Sequence, residues 1–251
     1  MKTLSLSASR ILAAIIIALF VHNQSAMAQV GLQADLNNDN TVNISDISYL
    51  IGLVMNRTTN ATVAAGICPN AMHPHVIDLG LPSGTKWTCC NVGAKNPLEY
   101  GEYFAWGEMF TKDNYNVSNY FYYVNGAFLD LGEDIAGTMC DIATVKWGND
   151  YTMPSYDQFN ELVDNCEFNF NSIGDVDGGL FTAENGNKIF IPAAGYKSSS
   201  LSRVGTFGYC FASDVNPDDH TRVYGFGCAS GGTQVSFSPK PFGLSVRPVA
   251  R

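Results

Sequence analysis

Six oxygen-bearing residues stand out first. Asp35, Asn37, Asp39, Thr41, Asn43 and Asp46 occupy positions 1, 3, 5, 7, 9 and 12 of a twelve-residue run. Carboxylates and amides at that spacing can fold around a hard cation such as calcium, with Thr41 offering its backbone carbonyl. Asn40 takes the sixth position, where the turn needs a residue that tolerates a left-handed backbone, and after glycine Asn does so best. The bland alternative is an Asn/Asp-rich turn that holds no metal. Calcium binding is the best-supported single chemistry in the sequence.

A second group could support catalysis. Glu99, Glu102 and Glu108 flank aromatic residues and could form the carboxylate pair of a glycoside hydrolase, one acid protonated in an apolar pocket and one ionised. The alternative is that they are solvated or accept backbone amides in a Tyr- and Trp-rich turn. Ser198 to Ser202 lacks the Gly-x-Ser-x-Gly elbow. The four histidines, His22, His73, His75 and His220, build no nameable Ser/His/Asp or Cys/His constellation. The sequence reads as non-catalytic.

These groups must be positioned by regular elements. After the acidic run, Ile47, Leu50, Ile51 and Val54 form an i, i+3, i+4, i+7 stripe, which predicts a helix with Asp46 at its start. Arg57 to Asn70 is small, polar and aperiodic, as a linker is. Ser155 can cap a second helix with Phe159, Leu162 and Val163 on its apolar face and an end near Cys166. The segments 188–191, 207–211, 222–226, 235–237 and 244–249 read as strands of an antiparallel sheet. One helix followed by many short strands is an α+β pattern.

Composition narrows the partners. The 251 residues carry a formal charge of −9, with 15% charged and 12% aromatic residues. That excludes the basic face needed for nucleic acid or an anionic membrane surface. Lys2 and Arg10 precede an unbroken apolar run, Ile11 to Val21, and Ala26-Met27-Ala28 follows. This is the pattern of a cleaved signal peptide, too short in its apolar part to remain as a transmembrane anchor. The expected organisation is a signal peptide at 1–28, a calcium loop and helix at 29–57, a linker at 58–72 and a large domain at 73–251. Export leaves the periplasm, the cell surface and the extracellular space as locations. Seven cysteines in an exported chain suggest some disulfides and at least one unpaired thiol. Adjacent Cys89 and Cys90 on a strand would face opposite ways, so at most one is expected in the core.

The loop and helix at 29–57 resemble one repeat of a type I dockerin, which pairs an EF-hand-like loop ending in Asp with a following helix. That resemblance implies calcium as cofactor and a cohesin-like domain as partner. A dockerin carries two such repeats and this chain one, so half of the cohesin-facing surface is absent. Ile77–Trp87, Cys90–Ala94, Glu99–Glu108, Met153–Ser155, Ile191–Tyr196 and Gly243–Val249 resemble, in order, the Fibrobacter succinogenes major paralogous domain. This family is found in secreted proteins of Bacteroidetes and Fibrobacteres. The likeness spans residues 73–251 and implies a C-type-lectin-like α+β domain with mainly antiparallel strands. The chain departs from the family pattern at Tyr151-Thr152 and at Tyr209 to Ser213.

The resemblance further implies a Cys90–Cys166 disulfide, since family members often carry Cys there, with Cys210–Cys228 as second choice if their strands are neighbours. It also implies a ligand face built by late strands and loops. In this chain that stretch, Phe207 to Ser238, holds Tyr209, Phe211, Asn216, Asp218, Asp219, His220, Arg222 and Tyr224. Aromatic faces can stack on sugars or peptide side chains while the polar groups orient them. The leading expectation is a secreted, non-catalytic binding or adhesion protein for an extracellular glycan or protein ligand. The alternatives are a docked component of a polysaccharide-degrading assembly and a glycoside hydrolase using Glu99, Glu102 or Glu108.

The calcium reading has a direct check. Three carboxylates in one loop repel each other without a cation, and an ion that binds only the folded loop stabilises it by mass action. Calorimetric titration of residues 29–251 should give calcium heat that Asp35→Ala abolishes, while the melting of the large domain stays nearly unchanged. An unaltered signal in the variant would leave an ordinary turn.

Overall fold

The computed structural model describes residues 75–251. The leader, the run from Asp35 to Asp46 with its following stripe, the linker and Cys68 lie outside the described residues.

Three antiparallel sheets carry the domain. The first has the order β1 (Val76–Asp78), β2 (Lys86–Thr88), β14 (Val249–Ala250), β5 (Tyr151–Thr152). Val249 lies opposite Trp87 on one side and Thr152 on the other. The second is the meander β6 (Cys166–Ile173), β7 (Val176–Ala183), β8 (Lys188–Pro192). The third is β11 (Phe207–Val215), β12 (Arg222–Ala229), β13 (Gly232–Pro239). Two short hairpins complete the set: β3 (Tyr123–Val124) with β4 (Ala127–Phe128), and β9 (Tyr196–Lys197) with β10 (Leu201–Ser202). Two helices, α1 (Ile142–Trp147) and α2 (Tyr156–Asn165), flank β5 in the chain. This is an arrangement of mostly antiparallel sheets with few helices, compatible with an α+β or a mainly-β fold.

Helix α2 forms where its residues demand it. Ser155 accepts from the Gln158 N–H at 3.2 Å, and the Gln158 side chain accepts from the Ser155 N–H at 2.9 Å. This reciprocal box satisfies two orphan donors at the helix start. The helix ends at Cys166, whose backbone is already extended. Its Phe159 and Leu162 are fully buried and link the sheets. The Phe159 ring lies 5.2 Å from Trp87 of the first sheet and stacks at 4.8 Å on Phe226 of the third. Phe226 in turn meets Phe181 of the second sheet at 5.8 Å. One aromatic column therefore joins all three sheets, and truncating such a ring costs about 3–5 kcal/mol.

Residues 89–141 hold little regular structure, yet much of the segment is buried. Its order comes from side chains bonding to backbone. The Trp106 indole donates to the Ala212 carbonyl at 3.0 Å, and Tyr120 donates to the Trp106 carbonyl at 2.8 Å. Tyr115 donates to the Tyr103 carbonyl. Gly101 is needed at a positive φ of 77°, where an added Cβ would sit 2.5 Å from the Val92 carbonyl oxygen.

Three expectations change. Cys89 and Cys90 are both buried, because β2 ends at Thr88 and the chain bends before them. Residues 244–248 form no regular strand. They make single bridges, Leu244 with Phe104 and Ser245 with Cys210, and only Val249–Ala250 joins a sheet. No disulfide joins two of the described cysteines. The Cys90 thiol points at the Ala94 carbonyl, 3.8 Å away, rather than bridging to Cys166. Cys210 and Cys228 do lie on paired strands, but Cys210 faces Phe226 and Cys228 faces Gly208. That makes them diagonal neighbours, roughly 7–8 Å apart across a ladder, which is too far for an S–S bond.

Asp141 knots this irregular region together. Its fully buried carboxylate caps α1 through the Ala143 and Thr144 N–H groups and also accepts from Gly137, Met153 and the Thr144 hydroxyl. Burial pushes its pKa up against those bonds. A carboxyl whose folded pKa is raised favours the folded state most below the unfolded value, and that advantage is lost as pH rises through the folded one. Asp141→Asn would set an NH2 against backbone donors, a loss of about 2–4 kcal/mol. Urea unfolding at several pH values should show this gap narrowing as pH climbs through and above the ordinary carboxylate range.

Candidate functional site

The third sheet has two unlike faces. Cys210, Ala212, Phe226 and Cys228 belong to the core. On the other face β12 contributes Gly225 and Gly227, a floor without side chains of its own, which the Ser238 hydroxyl covers at Gly225, 2.9 Å from where a Cβ would sit. The Tyr209 and Phe207 rings border that floor, 3.4 and 3.6 Å from where a Gly227 Cβ would sit. These rings stack on one another at 4.8 Å and 15°.

More aromatic residues extend the wall. Tyr196 of β9 meets Tyr209 edge-on at 5.8 Å and lies parallel to Phe242 at 5.7 Å. Phe207, Tyr209, Tyr196 and Phe242 are all partly exposed. Backbone pairing sets this ladder: Lys197 and Gly243 exchange two hydrogen bonds of 2.8 Å, which fixes β9 beside the segment carrying Phe242. With Arg203 and with Gln234, Ser236 and Ser238 of β13, the rings of Tyr196, Tyr209 and Phe242 line a hollow of about 300 Å³. A larger, mostly apolar hollow of about 530 Å³ lies across Pro239 and Phe242, against Tyr115, Val117 and Phe128. Aromatic faces with a few convergent hydroxyl, amide and guanidinium groups suit an organic ligand that offers both apolar faces and polar edges.

Among the described residues Arg203 is the one charged residue lining the smaller hollow. It is a non-glycine residue at a φ of 60°. The Thr206 hydroxyl and the Phe207 N–H hold its carbonyl at 2.9 and 3.0 Å. Its guanidinium lies 5.2 Å over the Phe207 ring. Burial raises the Tyr209 pKa, and Arg203 opposes that rise.

The residues expected to bind ligand divide among several places. Tyr209 faces the hollow. Phe211 is fully buried, covered where its N–H donates to Ser245, so it offers no contact surface. Tyr224 lies on the helix side of the sheet, 4.3 Å from Tyr156 and 4.8 Å from Phe237. Asn216, Asp218, Asp219, His220 and Arg222 form the β11–β12 turn and its margins. There buried Asn216 accepts from Asp218, and Asp219 accepts from the Thr221 N–H and hydroxyl. The Asp219 bonds to Thr221 hold its pKa below the usual value. Arg222 reaches the Phe237 carbonyl at 3.2 Å.

The three glutamates each have local partners. Glu99 accepts from the Lys95 N–H and the Asn96 amide, and Glu102 pairs with Lys146 at 3.4 Å. Buried Glu108 takes the Lys112 ammonium at 2.6 Å and the Phe121 N–H at 2.6 Å. None of the three lines either hollow. Among the described residues no group of three or more His, Cys, Asp or Glu side chains is placed to hold a metal ion.

Tyr196, Arg203 and Phe242 are the site residues that sequence reasoning missed. Tyr196 ends a recognisable block, Ile191–Tyr196, but nothing in its spacing shows that it meets Tyr209. Comparison with family models, with curated proteins and with solved structures finds no match to this chain.

Cys210 and Cys228 lie directly behind the floor, and burial pushes both thiols up to about 12. Thiolate is the reactive form, so neither serves as a nucleophile near neutral pH. Iodoacetamide at pH 8 should leave both unmodified in the native protein and alkylate both in urea, as peptide mass mapping would show.

Proposed function

We propose that this chain is an exported, non-catalytic binding protein whose ligand occupies the hollow on the outer face of β11, β12 and β13. The observation that carries this reading is the aromatic ladder over a glycine floor, with polar side chains converging from β13 and Arg203. Its position in the C-terminal third agrees with the ligand face implied by the likeness to the Fibrobacter succinogenes major paralogous domain. A C-type-lectin-like architecture for residues 73–251 belongs to the same proposal, supported by the mostly antiparallel sheets with few helices. The loop Asp35 to Asp46 is proposed to bind calcium as a separate dockerin-like module. No described helix is long and apolar enough to cross a membrane.

The glycosidase alternative gains no support from the placement of Glu99, Glu102 and Glu108, which lie away from the lining of both hollows. Docking to a cohesin-like domain through the calcium module remains compatible with a binding role for the large domain. Retention of the mature protein on immobilised cohesin in the presence of calcium would establish it.

Glycan and protein arrays probed with residues 29–251 should yield a ligand for the hollow. Replacing a stacking ring removes an interaction of about 1 kcal/mol plus the burial of its face. Tyr209→Ala and Phe242→Ala should therefore each weaken that ligand about tenfold or more. A ligand that binds both variants as well as the parent protein would place binding elsewhere.

A further inference from the structure

We propose that the ligand of this hollow is an acidic glycan, with Arg203 taking a sugar carboxylate while the aromatic ladder stacks on the rings. The inference rests on the binding reading above and specifies the chemistry of its ligand.

The protein as a whole is acidic, at −9, yet among the described residues no carboxylate lines this hollow and the one charged residue that does is a cation. Arg203 is exposed and makes no ion pair with any described carboxylate. Its guanidinium therefore keeps its donors for a ligand. A planar fork of N–H donors matches a carboxylate bidentately, a geometry that a lysine ammonium lacks.

The backbone around Arg203 points to the same conclusion. A left-handed conformation at a long side chain is unfavourable and persists only where surrounding contacts impose it. Here the Thr206 and Phe207 bonds to its carbonyl impose it. So does Gly195, itself at a φ of 64°, whose missing Cβ makes room for the Ser202 carbonyl and the Arg203 backbone. Glycine or asparagine would meet that backbone requirement with less strain. An arginine there sets its guanidinium over Phe207 at the edge of the hollow, so the position is tuned for what the side chain does.

The remaining lining fits a sugar rather than a bare anion. Tyr196, Tyr209 and Phe242 offer flat apolar surfaces for the C–H faces of pyranose rings. Gln234, Ser236 and Ser238 lie along one strand at alternate positions, on the same face, as donors and acceptors for ring hydroxyls. A row of small polar side chains beside an aromatic row suits a linear chain of sugars.

Titration calorimetry on residues 29–251 tests this with oligogalacturonate, its methyl ester, which keeps the rings but loses the charge, and an oligoglutamate peptide. The parent protein should bind the acid form about tenfold or more tightly than the ester, the scale of a charge-assisted bond. Arg203→Gln should remove that preference, Arg203→Lys should keep only part of it, and Tyr209→Ala should weaken acid and ester alike. Arg203→Asn, which tolerates the left-handed backbone, should match Arg203→Gln in binding and the parent in melting temperature, separating recognition from folding. Equal affinity for acid and ester, or an unchanged preference in Arg203→Gln and Arg203→Asn, overturns the inference. Oligoglutamate bound with the same Arg203 dependence while oligogalacturonate is not bound overturns the glycan assignment. A neutral glycan found on the array and lost in Tyr209→Ala, with no binding of either galacturonate form, leaves the binding function standing and removes its acidic specificity.

Discussion

The buried guanidinium of Arg247 ties this domain together. Arg247 is fully enclosed and cannot shed its charge as a lysine could. It donates to the Asn91 side chain at 2.8 Å, the Thr88 carbonyl at 3.1 Å and the Phe190 carbonyl at 2.8 Å. Among the described residues no carboxylate pairs with it, so neutral oxygens from two separate stretches, Thr88 to Asn91 and Phe190, must hold a full charge away from water. Burying an ion costs several kcal/mol unless its donors are met. The end of β2, the loop after it and the middle of β8 are thereby fixed against the C-terminal segment. That segment also carries Leu244 against Phe104 and Gly243 against Lys197. The stack of Phe242 on Tyr196 follows from this anchoring, and so does one wall of the hollow.

How much of this could be read from the sequence depended on how local the cause was. Helix α2 was legible because the Ser155 cap and the Phe159/Leu162/Val163 spacing act within three turns. Strands β8, β11, β12 and β13 were legible from apolar and aromatic runs between turn residues. The β6–β7 hairpin was missed, since Asn and Ser alternate with Phe in Cys166–Ile173 and Gly178-Gly179 interrupts β7. Residues 89–141 were unreadable in a deeper sense. Their order depends on partners far away in the chain, such as the carbonyl of Ala212 for Trp106, and no periodicity records such bonds. Residues 244–248 misled in the opposite direction: apolar and buried, they are held by Arg247 and isolated bridges instead of a ladder.

The candidate site shows the same division. Tyr209 could be picked out because it sits on a recognisable strand. Arg203, Tyr196 and Phe242 enter from other elements, and only the folded chain brings them to Tyr209. The polar cluster from Asn216 to Arg222 looked like a ligand site by composition. Of its side chains, Asn216 and Asp219 bond within the tight turn that contains them, as Asn and Asp commonly do.

The glycine floor of β12 has an evolutionary consequence. Along this strand Phe226 and Cys228 serve the core, while Gly225 and Gly227 between them face the hollow. A methyl group at 227 would touch Tyr209, Phe207 and Gln234 at ordinary van der Waals distance, so a first step toward a larger residue meets no hard obstacle. A substitution at 227 can therefore change the depth and shape of the hollow without touching the packing behind it. Core packing and the surface of the hollow are written on alternate letters of one strand, which leaves the second free to diverge while the first stays constant.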